Sequence, residues 1–170
     1  MIYVLIGGFV VYQALPDRCV PDRNNDLFFN KIHYLFAANM GGNAAWIFIF
    51  QTNSEPGFII SFIFITGLLV TAVMIMNIAD QGRLSVVGMI TLRIGFSIYS
   101  GWLTAATILN SVALLKAFGV DEDTMSIDET NFGMVILCVA CGIYMAAGYF
   151  YRNPAYAVVF IWVLIAIRDT

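Results

Sequence analysis

The chain has 170 residues, 61% of them hydrophobic and 11% charged, with a mean hydropathy of +0.85 and a formal net charge of −3. Soluble domains carry about 25% charged residues, so this inventory cannot cover a soluble surface, and the class is a one-domain integral membrane protein. There is no basic patch to suggest nucleic acid, and five of the eleven acids crowd into DEDTMSIDE at 121–129.

A helix needs about 20 apolar residues to cross the hydrocarbon. In chain order, apolar runs at 2–15, 32–50, 57–78, 86–115, 132–151 and 155–167 predict an all-α polytopic bundle of about six transmembrane helices. The runs do not alternate, which argues against a β-barrel. The first run is short and begins at the first residue, and reads as a fragment lacking its beginning; the last is also short. The connections are brief, and Pro56 and Pro154 sit where proline suits a helix start. Arg18, Arg23, Lys31, Arg83 and Arg152 fall on one side of the membrane, against Lys116 and Arg168 on the other. The richer side faces the cytoplasm, or the matrix of an organelle.

Helix 2 holds NMGGNAAWIFIFQ. Its Asn39, Asn43 and Trp46 recur at i, i+4 and i+7, on one face, and Gly41 and Gly42 admit a close neighbour. Helix 4 holds RIGFSIYSGWLTAATILN, in which Tyr99, Trp102, Ala106, Leu109 and Asn110 also read as one inward stripe. Amides are costly in lipid unless partnered, so the asparagines point into the bundle. They serve either as interhelical glue or as the polar contacts of a pocket walled by tryptophan.

NAAWIFIF and FSIYSGWLTAATILN resemble two segments of the translocator-protein family, also called tryptophan-rich sensory proteins (TspO/MBR). The first is similar to the family's Leu-Asn-x-x-Trp-x-x-x-Phe-Phe helix. The second is similar to its Pro-Tyr-x-x-Trp-x-x-Phe-Ala-x-x-Leu-Asn helix, with the same interval from Trp102 to Asn110. VYQALP and RNPAYAVVFIW look like the longer members, which add C-terminal helices. The proline before Tyr99 is absent, and the family's first helix and tryptophan-containing loop would lie upstream of Met1. The resemblance implies a membrane protein that holds a tetrapyrrole, or in some members a sterol, inside its bundle. Position by position, the ligand-binding residues would be Asn39, Asn43, Trp46, Tyr99, Trp102, Ala106, Leu109 and Asn110. Some members break down a bound porphyrin, but no nucleophile–base pair or metal cluster is visible here, so neither a catalytic residue nor a metal ligand is predicted.

Other signals read as structural. Arg93 lies two turns inside helix 4 and either snorkels to the basic edge or pairs with a ligand carboxylate or with Asp80. His33 sits at the membrane edge. Cys138 and Cys141 form CVAC within an apolar helix, where a thiolate is disfavoured. The acidic loop lacks the glycine of a calcium loop. Arg93-Tyr99-Leu103 and Arg152-Tyr156-Val158 fit only the loose sterol pattern. Two functions follow as expectations. In one, the chain binds a flat hydrophobic ligand between helices 2 and 4: a tetrapyrrole, a sterol or a bound lipid. In the other, it is a non-catalytic accessory subunit of a large respiratory or photosynthetic membrane complex. Expected partners are membrane lipids and either a second copy or the subunits of such a complex, in a mitochondrial or other organellar membrane. A proton- or ion-coupled transporter is disfavoured by the lack of acids within the spans.

Overall fold

The computed structural model describes residues 2–120 and 128–168. Among them the chain is helical, with six rods in sequence order. Helix α1 is Ile2–Ala14. Helix α2 opens with a π-helical turn, Leu27–Ile32, and continues as His33–Phe50. Helix α3 is Glu55–Gln81. Helix α4 combines Val86–Gly88, a second π-helical stretch Met89–Ile94 and Gly95–Ala117. Helices α5 and α6 are Glu129–Tyr151 and Pro154–Arg168. Among the described residues, three spans are long and apolar enough to cross a bilayer: Glu55–Gln81, Val86–Ala117 and Thr130–Tyr151. At 1.5 Å per residue, the 13 residues of α1 reach only about 20 Å.

Local chemistry sets the ends. Ser54 caps α3, accepting the Gly57 N–H, with Pro56 in the first turn. Ser85 caps α4 in the same way through Gly88. Helix α2 begins earlier than its apolar run, because Leu27, Phe28 and Ile32 are buried although Asn30 and Lys31 interrupt them. Arg152 takes a left-handed conformation, φ 48°, to turn α5 into α6.

Helix α3 packs against both α2 and α4, α6 lies on the far side of α4, and α5 packs mainly on α6. Helix α1 lies across the π-helical part of α4. Its Phe9 is fully buried among Phe28 and Phe36 of α2 and Phe96 of α4, with ring centroids 5.5, 4.9 and 5.9 Å away. The loop after α1 is clamped by Arg23, whose guanidinium donates to the carbonyls of Tyr12, Gln13 and Leu15 and to Asp17. These are carbonyls that a helix end leaves without partners, and the cation also suits that end of the helix dipole.

The α4–α6 contact is close because position 101 is glycine. A Cβ there would meet Val159 Cγ2 at 2.8 Å and the Tyr156 carbonyl at 2.9 Å. Gly101→Val should therefore cost about 1–3 kcal/mol through overpacking. Gly41→Ala, with nothing within 4 Å of the added methyl, should be neutral or stabilising by up to about 1 kcal/mol. Thermal unfolding of the two variants in detergent measures the difference.

Candidate functional site

Asn39 lies where α2, α3 and α4 meet, and is 1% exposed. Its amide donates to the Leu68 carbonyl at 2.8 Å and to Thr71 Oγ1 at 2.6 Å, both on α3. Its carbonyl accepts the Tyr99 hydroxyl of α4 at 2.9 Å. Thr71 also donates to its own helix, at Gly67 and Leu68. Asn110, a buried residue further along α4, accepts the Ser61 hydroxyl of α3 at 2.6 Å and donates to Ala106 one turn back. Asn39, Tyr99 and Asn110 therefore hold the helices together.

On α2 the remaining members of the predicted stripe differ. Asn43 is buried, yet its side chain makes no hydrogen bond among the described residues. Trp46, one turn on, is partly buried, and its indole Nε1 is enclosed without a partner. The indole stacks on Phe50 at 5.7 Å, and Phe50 meets Phe58 of α3 edge-on at 6.2 Å. An aromatic wall and two polar groups with unused hydrogen-bonding capacity thus share one face of α2.

The helix 4 stripe divides, which corrects its reading as a single inward face. Tyr99, Ala106 and Asn110 are buried, whereas Trp102 is 39% and Leu109 63% exposed. At about 100° per residue, Ala106 and Asn110 lie within about 20° of Tyr99, while Trp102 and Leu109 are turned away by about 60–80°. Trp102 instead tilts against Trp162 of α6, with centroids 5.8 Å apart. The opposite face of α4 binds the last two helices. Ser97 accepts the Asn153 amide, Thr104 pairs with the Tyr156 hydroxyl, and the Gly101 carbonyl accepts the Tyr144 hydroxyl. The sequence singles out neither Tyr144 nor Asn153, and Tyr156 only as part of the loose sterol pattern. Ser97 and Thr104 also donate to the carbonyls of Arg93 and Ser100, one turn back.

Arg93 forms an ion pair with Asp80 of α3, its side chain half exposed. That Asp80 oxygen is buried and accepts no well-aligned hydrogen bond. His33 is exposed and meets Tyr34 edge-on. Cys138 and Cys141 are free thiols, Cys141 resting on the Met145 sulfur. No group of three or more metal-ligating side chains occurs among the described residues. Residues 121–127 of the acidic loop lie outside the described residues.

The arrangement is that of a polytopic helical membrane protein whose helices are joined by buried side-chain hydrogen bonds. A family model described as TSPO-like protein matches residues 1–168, and the chain belongs to that family. Neither a curated protein nor a solved structure matches it.

The Asn39–Tyr99 contact is directly measurable. Each interhelical hydrogen bond in a membrane contributes about 0.6–1.7 kcal/mol. Asn39→Ala should lose about 2 kcal/mol and Tyr99→Phe about 1 kcal/mol. Their double-mutant cycle in detergent should show a coupling of about 0.6–1.7 kcal/mol. Trp102→Phe paired with Asn39→Ala should show none.

Proposed function

We propose that this protein binds a flat hydrophobic ligand, a tetrapyrrole or a sterol, against the α2 face that carries Asn43 and Trp46. What supports the reading most is the enclosed and unpartnered Trp46 indole N–H, because buried polar groups are almost always hydrogen-bonded and an exception calls for a partner. Trp46 supplies a flat wall and one N–H donor. The Asn43 carboxamide supplies a donor and an acceptor for a carboxylate or a hydroxyl. Ala106 and Asn110 line the buried side of α4. Asn39 and Tyr99 set the spacing of the helices, and Trp102 and Leu109 act at the outer face of α4. Membership of the TSPO-like family agrees with a binding role rather than a catalytic one.

A second reading, a non-catalytic accessory subunit of a large respiratory or photosynthetic complex, draws on the Asn39 hub. That hub closes the middle of the bundle with its own side chains, as a purely structural element would require. Either role fits a mitochondrial or other organellar membrane.

Porphyrin titration of the reconstituted chain separates the two. On the first reading, protoporphyrin quenches tryptophan fluorescence saturably, and a sterol ligand competes with it. Trp46→Phe weakens binding about tenfold, the equivalent of one lost hydrogen bond of about 1.4 kcal/mol. Trp102→Phe changes it less than about threefold. Absence of quenching, together with co-purification of other subunits in mild detergent, would select the second reading.

A further inference from the structure

We propose that a second site, at the membrane edge between the beginning of α2 and the end of α3, holds the headgroup of an anionic phospholipid. The structure has a pocket of about 250 Å³ there. Asn24, Leu27 and Lys31 line one wall at i, i+3 and i+7, and Ile78, Gln81 and Arg83 line the other. The pocket is smaller than the 300–1,000 Å³ of sites for drug-sized molecules, so a porphyrin does not suit it.

Charge argues for an anion. Lys31 and Arg83 converge on one pocket, while the single carboxylate in the lining, Asp26, reduces the balance only to one net positive charge. Asp26 compensates poorly. It lies 4.0 Å from Lys31, both side chains are exposed, and one of its oxygens already accepts the Asn30 amide. Arg83 has no ion pair among the described residues. Two like charges brought to one small space are stabilised by an anion between them.

The position argues for a lipid rather than a free ion. Leu27 is buried, and both it and Ile78 pack into the apolar core, so the pocket grades from cations at the water side to hydrocarbon at its base. That gradient matches a phosphodiester joined to acyl chains. The backbone holds the two walls in place. The Asn24 amide donates to the Arg83 carbonyl at 3.3 Å, and a Cβ on Gly82 would come within 2.8 Å of Leu27 Cδ2. Lys31 also lies in the π-helical turn of α2, a distortion frequent at functional sites. The pocket opens on the arginine- and lysine-rich side of the membrane, whose leaflet carries the anionic lipids.

The test uses the full chain in neutral detergent, with binding read by native mass spectrometry and by the thermal midpoint. Short-chain phosphatidylglycerol should bind and raise the midpoint; phosphatidylcholine of equal chain length should do neither. Lys31→Gln with Arg83→Gln should weaken phosphatidylglycerol binding about 30-fold, from a factor of about five per cation. Arg152→Gln, on the same side of the membrane, should leave it unchanged. Because Lys31 and Arg83 are exposed, the double variant should fold; if it does not, Arg83→Gln alone should still weaken binding about fivefold. Equal binding of phosphatidylcholine, retention of binding by the variants, or an equal midpoint shift from inorganic phosphate alone would each overturn the proposal.

Discussion

A polar group in hydrocarbon must find its partner within the protein, and here the carboxamide of Asn39 carries most of that requirement. It reaches the Leu68 carbonyl, Thr71 and Tyr99 at once, which fixes α3 beside both α2 and α4. Asn110 repeats the device further along α4 by engaging Ser61. The opposite face of α4 is satisfied from elsewhere, with Tyr144, Asn153 and Tyr156 holding the α5–α6 hairpin. Helix α4 is therefore the hub, and its hydroxyls and amide are the reason the other helices stand where they do.

These bonds matter more than burial, because lipid tails are as apolar as leucine and little hydrophobic force drives membrane helices together. Dispersion has to supply the rest, and it requires close approach. Gly101 gives it between α4 and α6, and Ala72, Ala79 and Ser61 give it on the buried face of α3. Around Phe9 the solution is different. Rings from three helices fill the space that small residues would have closed. Helix α1 is short, and this aromatic contact, the Tyr12–Ser85 hydrogen bond and the Arg23 clamp hold it in place.

The helices were legible in the sequence because their apolar runs are long and bounded by proline, glycine and charge. The inward direction of Asn39, Tyr99 and Asn110 was legible too, since an amide in lipid has few alternatives. Trp102 and Leu109 were misplaced because spacings of three and four place residues on neighbouring arcs of a helix rather than on a single line. The environment of Trp102 depends on α6, through Trp162, and no local pattern specifies that. The early start of α2 was hidden by Asn30 and Lys31, which read as a loop while Leu27, Phe28 and Ile32 on the other side are buried. Arg23 was counted only as a charge that orients the chain. Its capping of α1 needs the loop geometry, although PDR occurs twice in PDRCVPDR, and the second arginine is the one that folds back.

The distinction between glue and ligand contact rests on which polar groups are already satisfied. Sequence spacing treats Asn39, Asn43 and Trp46 alike; the structure separates them, since Asn39 has used its whole amide and its neighbours have not. The orphaned groups also differ in weight. The Ser100 hydroxyl is buried without a partner, but a serine hydroxyl can rotate onto the carbonyl four residues back along its own helix. An indole N–H points away from its backbone and has no such internal recourse. A carboxamide does have that recourse, as Asn110 shows by donating to the Ala106 carbonyl four residues back. Of the groups on this face of α2, the enclosed Trp46 indole N–H is therefore the one that only a partner from outside the helix can satisfy.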